Sequence, residues 1–319
     1  MIKNITIKKI SIGTILLILC FLFVLFPKND NTIKLKGETI EYTSSNVEHE
    51  IYMVNKDNYV ARTNVVLNET DLETKVKGLL EYLIIDGKKG NNIPNGFRSI
   101  IPSGTEIKSV TLKDGLLKIN FSKEILEIDA NLEEKMIESI VYTLTSIEGV
   151  KGILIYVEDD LLTVLPKSKI QLPSILTRDF GINKVYDLVD TKNISKTTIY
   201  YIGKSNDDNY YYIPVTKIDN SNKDKVKVII DELSSGSTYE NNLMSFLNFN
   251  TKLEKYDLVD KTMYLTFNDY ILNSLEDKSI LEEVIYSISL SISDNYDVNE
   301  VIFMIGDEEI TKSVLKTLE

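Results

Sequence analysis

Few side chains of this sequence are placed to do chemistry, and each admits a narrow range of roles. His49 is the sole histidine of 319 residues and stands between Glu48 and Glu50 at the start of an apolar run. A serine or cysteine nucleophile needs an orienting base, usually a histidine, and one imidazole cannot build a His-rich zinc site. His49 is therefore read as a surface residue at a strand start. Ser313 and Lys316 meet the S-x-x-K spacing of penicillin-recognising serine enzymes, but near the end of the chain and without the Lys-Thr-Gly companion, so the match is read as chance. Dinucleotide-binding, P-loop and EF-hand spacings are absent, which leaves no cofactor and no metal expected.

Two features remain as candidates. Glu158-Asp159-Asp160 and Asp307-Glu308-Glu309 each follow an unbroken apolar run. Their carboxylates could bind a cation or a basic partner patch, or form solvated turns that keep hydrophobic strands from foreign edges. Adjacent acids in one turn do not flank a glycosidic bond from opposite sides. Tyr200, Tyr201, Tyr210, Tyr211 and Tyr212 fall on one predicted hairpin. Tyrosine gives large contact area at low entropy cost, so these rings are candidate partner contacts or else ordinary sheet packing. The candidate contact set is thus the five tyrosines with Glu158, Asp159, Asp307 and Glu308, and no residue is assigned a catalytic role.

The elements that must position these residues are a membrane anchor and a body. A formal charge of −12 argues against a nucleic-acid ligand, which calls for clustered Lys and Arg. Lys3, Lys8, Lys9 and Lys28 are the only charges of the first 28 residues, leaving 32 basic against 48 acidic residues, about −16, for the rest. Residues 10–26 carry no charge and follow three lysines, which predicts a transmembrane anchor over 1–27 with its N-terminus in the cytoplasm and the body outside. Cys20, the sole cysteine, lies inside that run, so the body has no disulfide, as in many exported Gram-positive proteins. Lipidation of Cys20 is the alternative anchor, though Leu19 is a poor residue for the cleavage it requires. Residues 28–47 are polar and read as a tether.

The body repeats. Residues 105–121, TEIKSVTLKDGLLKINF, return at 251–267 as TKLEKYDLVDKTMYLTF. In the first copy Val110 and Leu112, then Leu117, Ile119 and Phe121, alternate with polar residues around Asp114-Gly115, a two-stranded hairpin. Met263, Leu265 and Phe267 fall on the last three of these positions, with Asp260-Lys261 at the turn. Around each hairpin the same order recurs: strand, strand, helix, strand, strand, helix, strand. Ile51–Val54 matches Ile199–Ile202, and the helix of Val76, Leu79, Leu80 and Leu83 matches that of Val226, Ile229, Ile230 and Leu233. Tyr142 in VYTLT is aligned with Tyr286 in IYSIS, which makes the following helix–strand junction four residues longer in the second copy. The fold class is α+β, two tandem β-β-α-β-β-α-β sandwich domains at 48–165 and 197–310. Residues 166–196 are too apolar for a free linker and are expected to pack between them, and the tail 311–319 reads as one or two helical turns.

The residues IYMV at 51–54, Ile101-Pro102-Ser103-Gly104-Thr105, KDGLLKINFS at 113–122 and VYTLTSIEGVKGILIYVED at 141–159 resemble the GerMN domain family of sporulation and spore-germination proteins. The second copy departs from it at Leu247-Asn248-Phe249-Asn250 and at Asp260-Lys261. The resemblance implies ring-building-motif domains on a membrane-tethered, non-catalytic scaffold. It also implies contacts to other sporulation-complex proteins, self-association into rings, and residence in the space between mother cell and forespore. The alternatives from the residues themselves are a peptidoglycan-binding module using the tyrosine hairpin and a wall-active enzyme using Glu158 or Asp159.

Overall fold

In the first repeat, strand β1 (Val47–Asn55) turns back into β2 (Val60–Leu67), with Val54 opposite Val60. Helix α1 (Leu72–Leu83) starts at Asp71, whose carboxylate accepts the Thr74 N–H at 3.1 Å and so satisfies one of the free donors of the first turn. After the short β3 (Phe97–Arg98) comes the hairpin β4 (Ile107–Lys113) and β5 (Leu116–Phe121). Helix α2 (Glu133–Leu144) then crosses to β6 (Gly152–Val157), which runs parallel to β5, and β7 (Asp160–Leu161) folds back on it. The computed structural model describes residues 47–205, 209–221, 223–235 and 242–315. The anchor at 1–27, Cys20, nearly all of the tether and Lys316 to Glu319 lie outside them. Among the described residues no helix is long and apolar enough to cross a membrane.

A linker carrying β8 (Val185–Asp187) leads into the second repeat: β9 (Ser195–Lys204), β10 (Tyr210–Asp219), α3 (Lys225–Ser235), β11 (Leu253–Val259), β12 (Thr262–Phe267), α4 (Glu282–Asn295), β13 (Glu300–Ile305) and β14 (Glu308–Val314). The order read from the sequence is present, and each unit ends in one further strand, β7 or β14. The helical reading of the tail is thereby corrected over its described residues: Glu308–Val314 pairs with β13 antiparallel, and the side chain it buries is Ser313 rather than an apolar one. Both central hairpins turn through two left-handed residues, Asp114 (φ 54°) and Gly115 (φ 81°), then Asp260 (φ 46°) and Lys261 (φ 67°). The turn geometry is kept even where lysine replaces glycine.

The alignment of Tyr142 with Tyr286 is corrected by one helical turn. The Tyr52 N–H donates to Thr143 Oγ1 at 2.9 Å, and in the second repeat the Tyr200 N–H donates to Ser291 Oγ at 2.8 Å. Thr143 and Ser291 are therefore equivalent, Tyr142 is fully buried while Tyr286 is exposed, and the stretch from Thr143 to β6 has the same length as that from Ser291 to β13. The extra residues of the second copy lie before α4, in the loop that follows the one-turn helix Asp269–Ile271. A four-residue slip leaves the same apolar stripe facing the core, so periodicity alone could not detect it.

The larger departure is that the two repeats do not form separate sandwiches. Each keeps its own four-stranded sheet, β4-β5-β6-β7 or β11-β12-β13-β14, but their first hairpins join into one six-stranded sheet through antiparallel pairing of β2 with β10. Leu172, Leu176 and Ile182 of the linker are buried in the first repeat's core, and Ala61 of β2 is buried in the second's. Burying these apolar side chains on both sides of the junction ties the repeats together.

Candidate functional site

Where β2 meets β10, Arg62 stands opposite Tyr212. Continuing that antiparallel register brings Val60 opposite Pro214, which has no N–H to give to the ladder. Asn183 of the linker fills the gap. Its side-chain Oδ1 accepts the Val60 N–H at 2.9 Å, and its Nδ2 donates to the Val60 and Pro214 carbonyls, each at 2.7 Å. The Asn183 N–H in turn donates to Glu138 Oε2 at 3.0 Å. Lys184 reaches Glu134 at 2.8 Å and Glu138 at 3.2 Å. Burial pushes the Glu138 carboxyl above the usual carboxylate range, and Lys184 only partly opposes it.

Arg178 closes the other end of this seam. It pairs with Asp294 of the second repeat and lies 3.6 Å from Glu50 of the first. It also donates to Thr145 Oγ1 at 3.1 Å and Ser146 Oγ at 2.8 Å, and its guanidinium lies over the rings of Tyr142 and Tyr52, 4.9 and 5.5 Å from their centroids. The Tyr52 and Tyr200 hydroxyls lie 2.9 Å apart, with Glu50 2.6 Å from Tyr52 and Asp294 2.8 Å from Tyr200, so two hydroxyl protons are shared among three short contacts. Burial works against the Arg178 charge, yet Asp294, Tyr52, Tyr200 and Glu50 together hold its proton well above the usual guanidinium value. Burial would likewise raise Glu50, but Arg62 and Arg178 keep it below the ordinary range. Tyr52 and Tyr200 are pushed up by burial and by the carboxylates beside them. The network holds three segments together, and its chemistry is cohesive.

The five tyrosines divide accordingly. Tyr200 is locked in the Arg178 network, and Tyr201 is buried in the second core. Tyr211 is buried against Phe97, its hydroxyl accepting from Asn55 Nδ2 at 3.0 Å across the seam. These three face the protein's own interior: Tyr201 the second repeat's core, Tyr200 and Tyr211 the partners Tyr52 and Asn55 that the first repeat brings across the seam. Tyr210, exposed and edge-on to Phe246, and Tyr212, half-buried beside Tyr286, remain at the surface. Burial, with Glu283 and Glu282 nearby, pushes Tyr212 up to about 12.

The acidic clusters sit in tight turns. Glu158 and Asp159 both have positive φ between β6 and β7. Glu158 pairs with Lys108 and accepts the Lys123 N–H, and that pairing with Lys108 holds its carboxyl below the usual range. Asp159 is bonded to Asn120 at 2.7 Å. Asp307 follows Gly306 in the matching turn, and Glu308 pairs with Lys278. Among the described residues no three acids, histidines or cysteines converge on a metal position. His49 lies on β1 opposite Val65, and burial with the nearby Lys75 lowers its proton affinity. Ser313 is buried opposite Val301. Ser293-Asp294-Asn295 does match the Ser-Asp-Asn companion of the S-x-x-K pattern, but it precedes Ser313 in the chain, Asp294 is held by Arg178, and Asn295 is bonded to Thr198.

The family model for "Germane: Sporulation and spore germination" matches residues 49–163 and 198–311. The chain belongs to the GerMN (Germane) family. It is 32% identical to the spore germination protein GerM of Bacillus subtilis (strain 168) over 269 residues, 82% of this chain and 72% of that protein. A solved structure of the tandem GerMN domains of the sporulation protein GerM from Bacillus subtilis superposes with a TM-score of 0.75 at 30% identity, covering 83% of this chain and 92% of that one. The tandem GerMN arrangement is thus common to both proteins. Within this chain, Arg178, Asn183 and Lys184 lie between the two matched segments, where neither copy of the GerMN pattern reaches.

Proposed function

We propose that this GerMN protein is a non-catalytic, membrane-tethered assembly component of sporulation or spore germination, working through contacts of its two domains with other proteins. The observation that carries this reading is the seam at Arg178 and Asn183. Ionisable and amide groups that could have faced a substrate are instead bonded to one another across the two repeats and the linker, giving one stiff body with two different outward surfaces. Its similarity to GerM, named for spore germination, supports the process. The charge-free run at 10–26 behind three lysines supports a tether with the body on the outer face of the membrane, facing the space between mother cell and forespore.

Deletion of the whole coding sequence should sharply reduce heat-resistant, germination-competent spores. A version lacking residues 1–27 should fractionate away from membranes and fail to restore them. Normal spore yield and germination in the deletion strain would refute the reading, as would full rescue by the released body.

A further inference from the structure

The two copies of the unit allow a direct comparison of equivalent corners, and one corner has diverged in kind. The turn Pro102-Ser103-Gly104-Thr105 is closed by the Thr105 N–H donating to the Pro102 carbonyl at 3.3 Å, and Asn248-Phe249-Asn250-Thr251 is closed by Thr251 donating to Asn248 at 2.9 Å. Phe249 therefore occupies the place of Ser103. On the neighbouring one-turn helices Ile125 and Ile271 are the matching buried anchors, which puts Tyr270 in the place of Glu124. Leu275 lies in the loop lengthened in the second copy. All three are exposed, Phe249 by 78%, Leu275 by 72% and Tyr270 by 54%.

The corner is firmly built. Thr251 Oγ1 donates to the Tyr270 carbonyl at 3.1 Å, and Asn268 Nδ2 to the Asn250 carbonyl at 3.0 Å. The Asn273 N–H donates to the Ser279 carbonyl at 2.8 Å, and Lys278 ties that loop to Glu308 in the β13–β14 turn. Large apolar side chains held out by a rigid backbone are what interface anchors require, since little ordering entropy is lost on binding. The charges in these segments are Asp269, Glu276, Asp277, Asp307 and Glu308 against Lys252 and Lys278. That acidic rim opposes an anionic lipid surface and fits a partner whose apolar pocket is rimmed by Lys or Arg.

We infer that the corner Phe249–Tyr270–Leu275 of the second repeat is a docking tip for an apolar pocket with a basic rim on a different protein, a role the first repeat's Ser103 and Glu124 cannot fill. This rests on the scaffold reading and makes it specific. The test places the photocrosslinker benzoylphenylalanine at position 249 in the full-length protein in sporulating cells, with position 103 as the matched control. Adduct to a different protein, through a Lys- or Arg-rich segment, should be roughly tenfold or more greater from 249 than from 103. With the crosslinker placed at Leu275, Phe249→Ser with Tyr270→Glu, which install the first repeat's residues, should remove the adduct while leaving the thermal unfolding temperature of the purified body unchanged. Equal yields from both positions, no adduct, an adduct to lipid or to a second copy, or one through an acidic segment would each overturn the inference. Because the deletion strain tests the scaffold reading independently, the tip can fail while that reading stands.

Discussion

Replacing Arg178 with methionine keeps the side-chain length and removes its charge. The change leaves Asp294, whose carboxylate is only 5% exposed, without its cationic partner, and strips donors from Thr145 and Ser146. Removing one partner of a buried pair costs about 3–5 kcal/mol. Arg178 itself is 26% exposed, so water can reach part of the site and the lower end, about 3 kcal/mol, is the expected loss. Glu50 keeps Arg62 at 3.0 Å and should contribute little of it. With no tryptophan in the chain, its 18 tyrosines supply the unfolding signal, and Tyr52, Tyr142 and Tyr200 beside the guanidinium contribute to it. Urea unfolding followed at the tyrosine band should show a midpoint lower by about 1 M for a slope near 3 kcal/mol per M. In the double-mutant cycle with Asp294→Asn the second change should cost far less in the Arg178→Met background than alone, with a coupling of about 2 kcal/mol. A loss below about 0.5 kcal/mol, or strictly additive effects, would show that the seam is not held by this pair.

Three further changes test separate parts of the argument. Lys261→Gly should stabilise by about 1 kcal/mol, since Lys261 holds φ 67° where the first copy has Gly115, and an unchanged unfolding midpoint would contradict the turn assignment. Ser289 is fully buried on α4, at the position of Val141, and its hydroxyl has no partner among the described residues, so Ser289→Ala should stabilise by about 1 kcal/mol in calorimetry, and a loss would mean the hydroxyl is bonded. Glu138 is pushed above its ordinary value of 4.5 by burial, so its ionisation costs stability once the pH exceeds its folded value, and that cost vanishes below the ordinary one. Glu138→Gln should therefore compare most favourably with the parent near pH 7 and lose that advantage towards pH 4, and a difference that does not vary with pH would refute the sign.

What could be read from the sequence was whatever has a local period. The alternation around Asp114-Gly115 and the stripe of Val76, Leu79, Leu80 and Leu83 mark strands and a helix because each element's burial is written along its own length. The pairing of β2 with β10 has no such record. Either hairpin would look the same with a free edge, and so Tyr200 and Tyr211 pass for surface rings. The seam is also nearly silent, because Asn183 and Arg178 act through single side chains that no spacing rule connects. One signal was available: the chain has three arginines among 36 basic residues, and two of them, Arg62 and Arg178, flank Glu50. Where lysine is the default cation, an arginine marks a place that needs a planar, multiply donating group.

The geometry of the seam also bears on how the protein could assemble. Val54, which faces Val60, corresponds to Ile202, which faces Tyr212, so Tyr212 is the counterpart of Val60 and Pro214 that of Arg62. Arg62 opposite Tyr212 and Val60 opposite Pro214 are then the same pairing with the copies exchanged, a local twofold through Ala61 and Ile213. A contact made by equivalent strands around a twofold is closed, because each copy's surface is used up by the other. Rings grow only through a contact between two different surfaces, so this pairing cannot propagate one, however alike the units are. If this chain builds rings, it does so with surfaces other than β2 and β10. A β2 charge reversal that left ring formation intact while unfolding the body at lower temperature would separate the two contacts, whereas loss of rings with unchanged stability would refute this assignment.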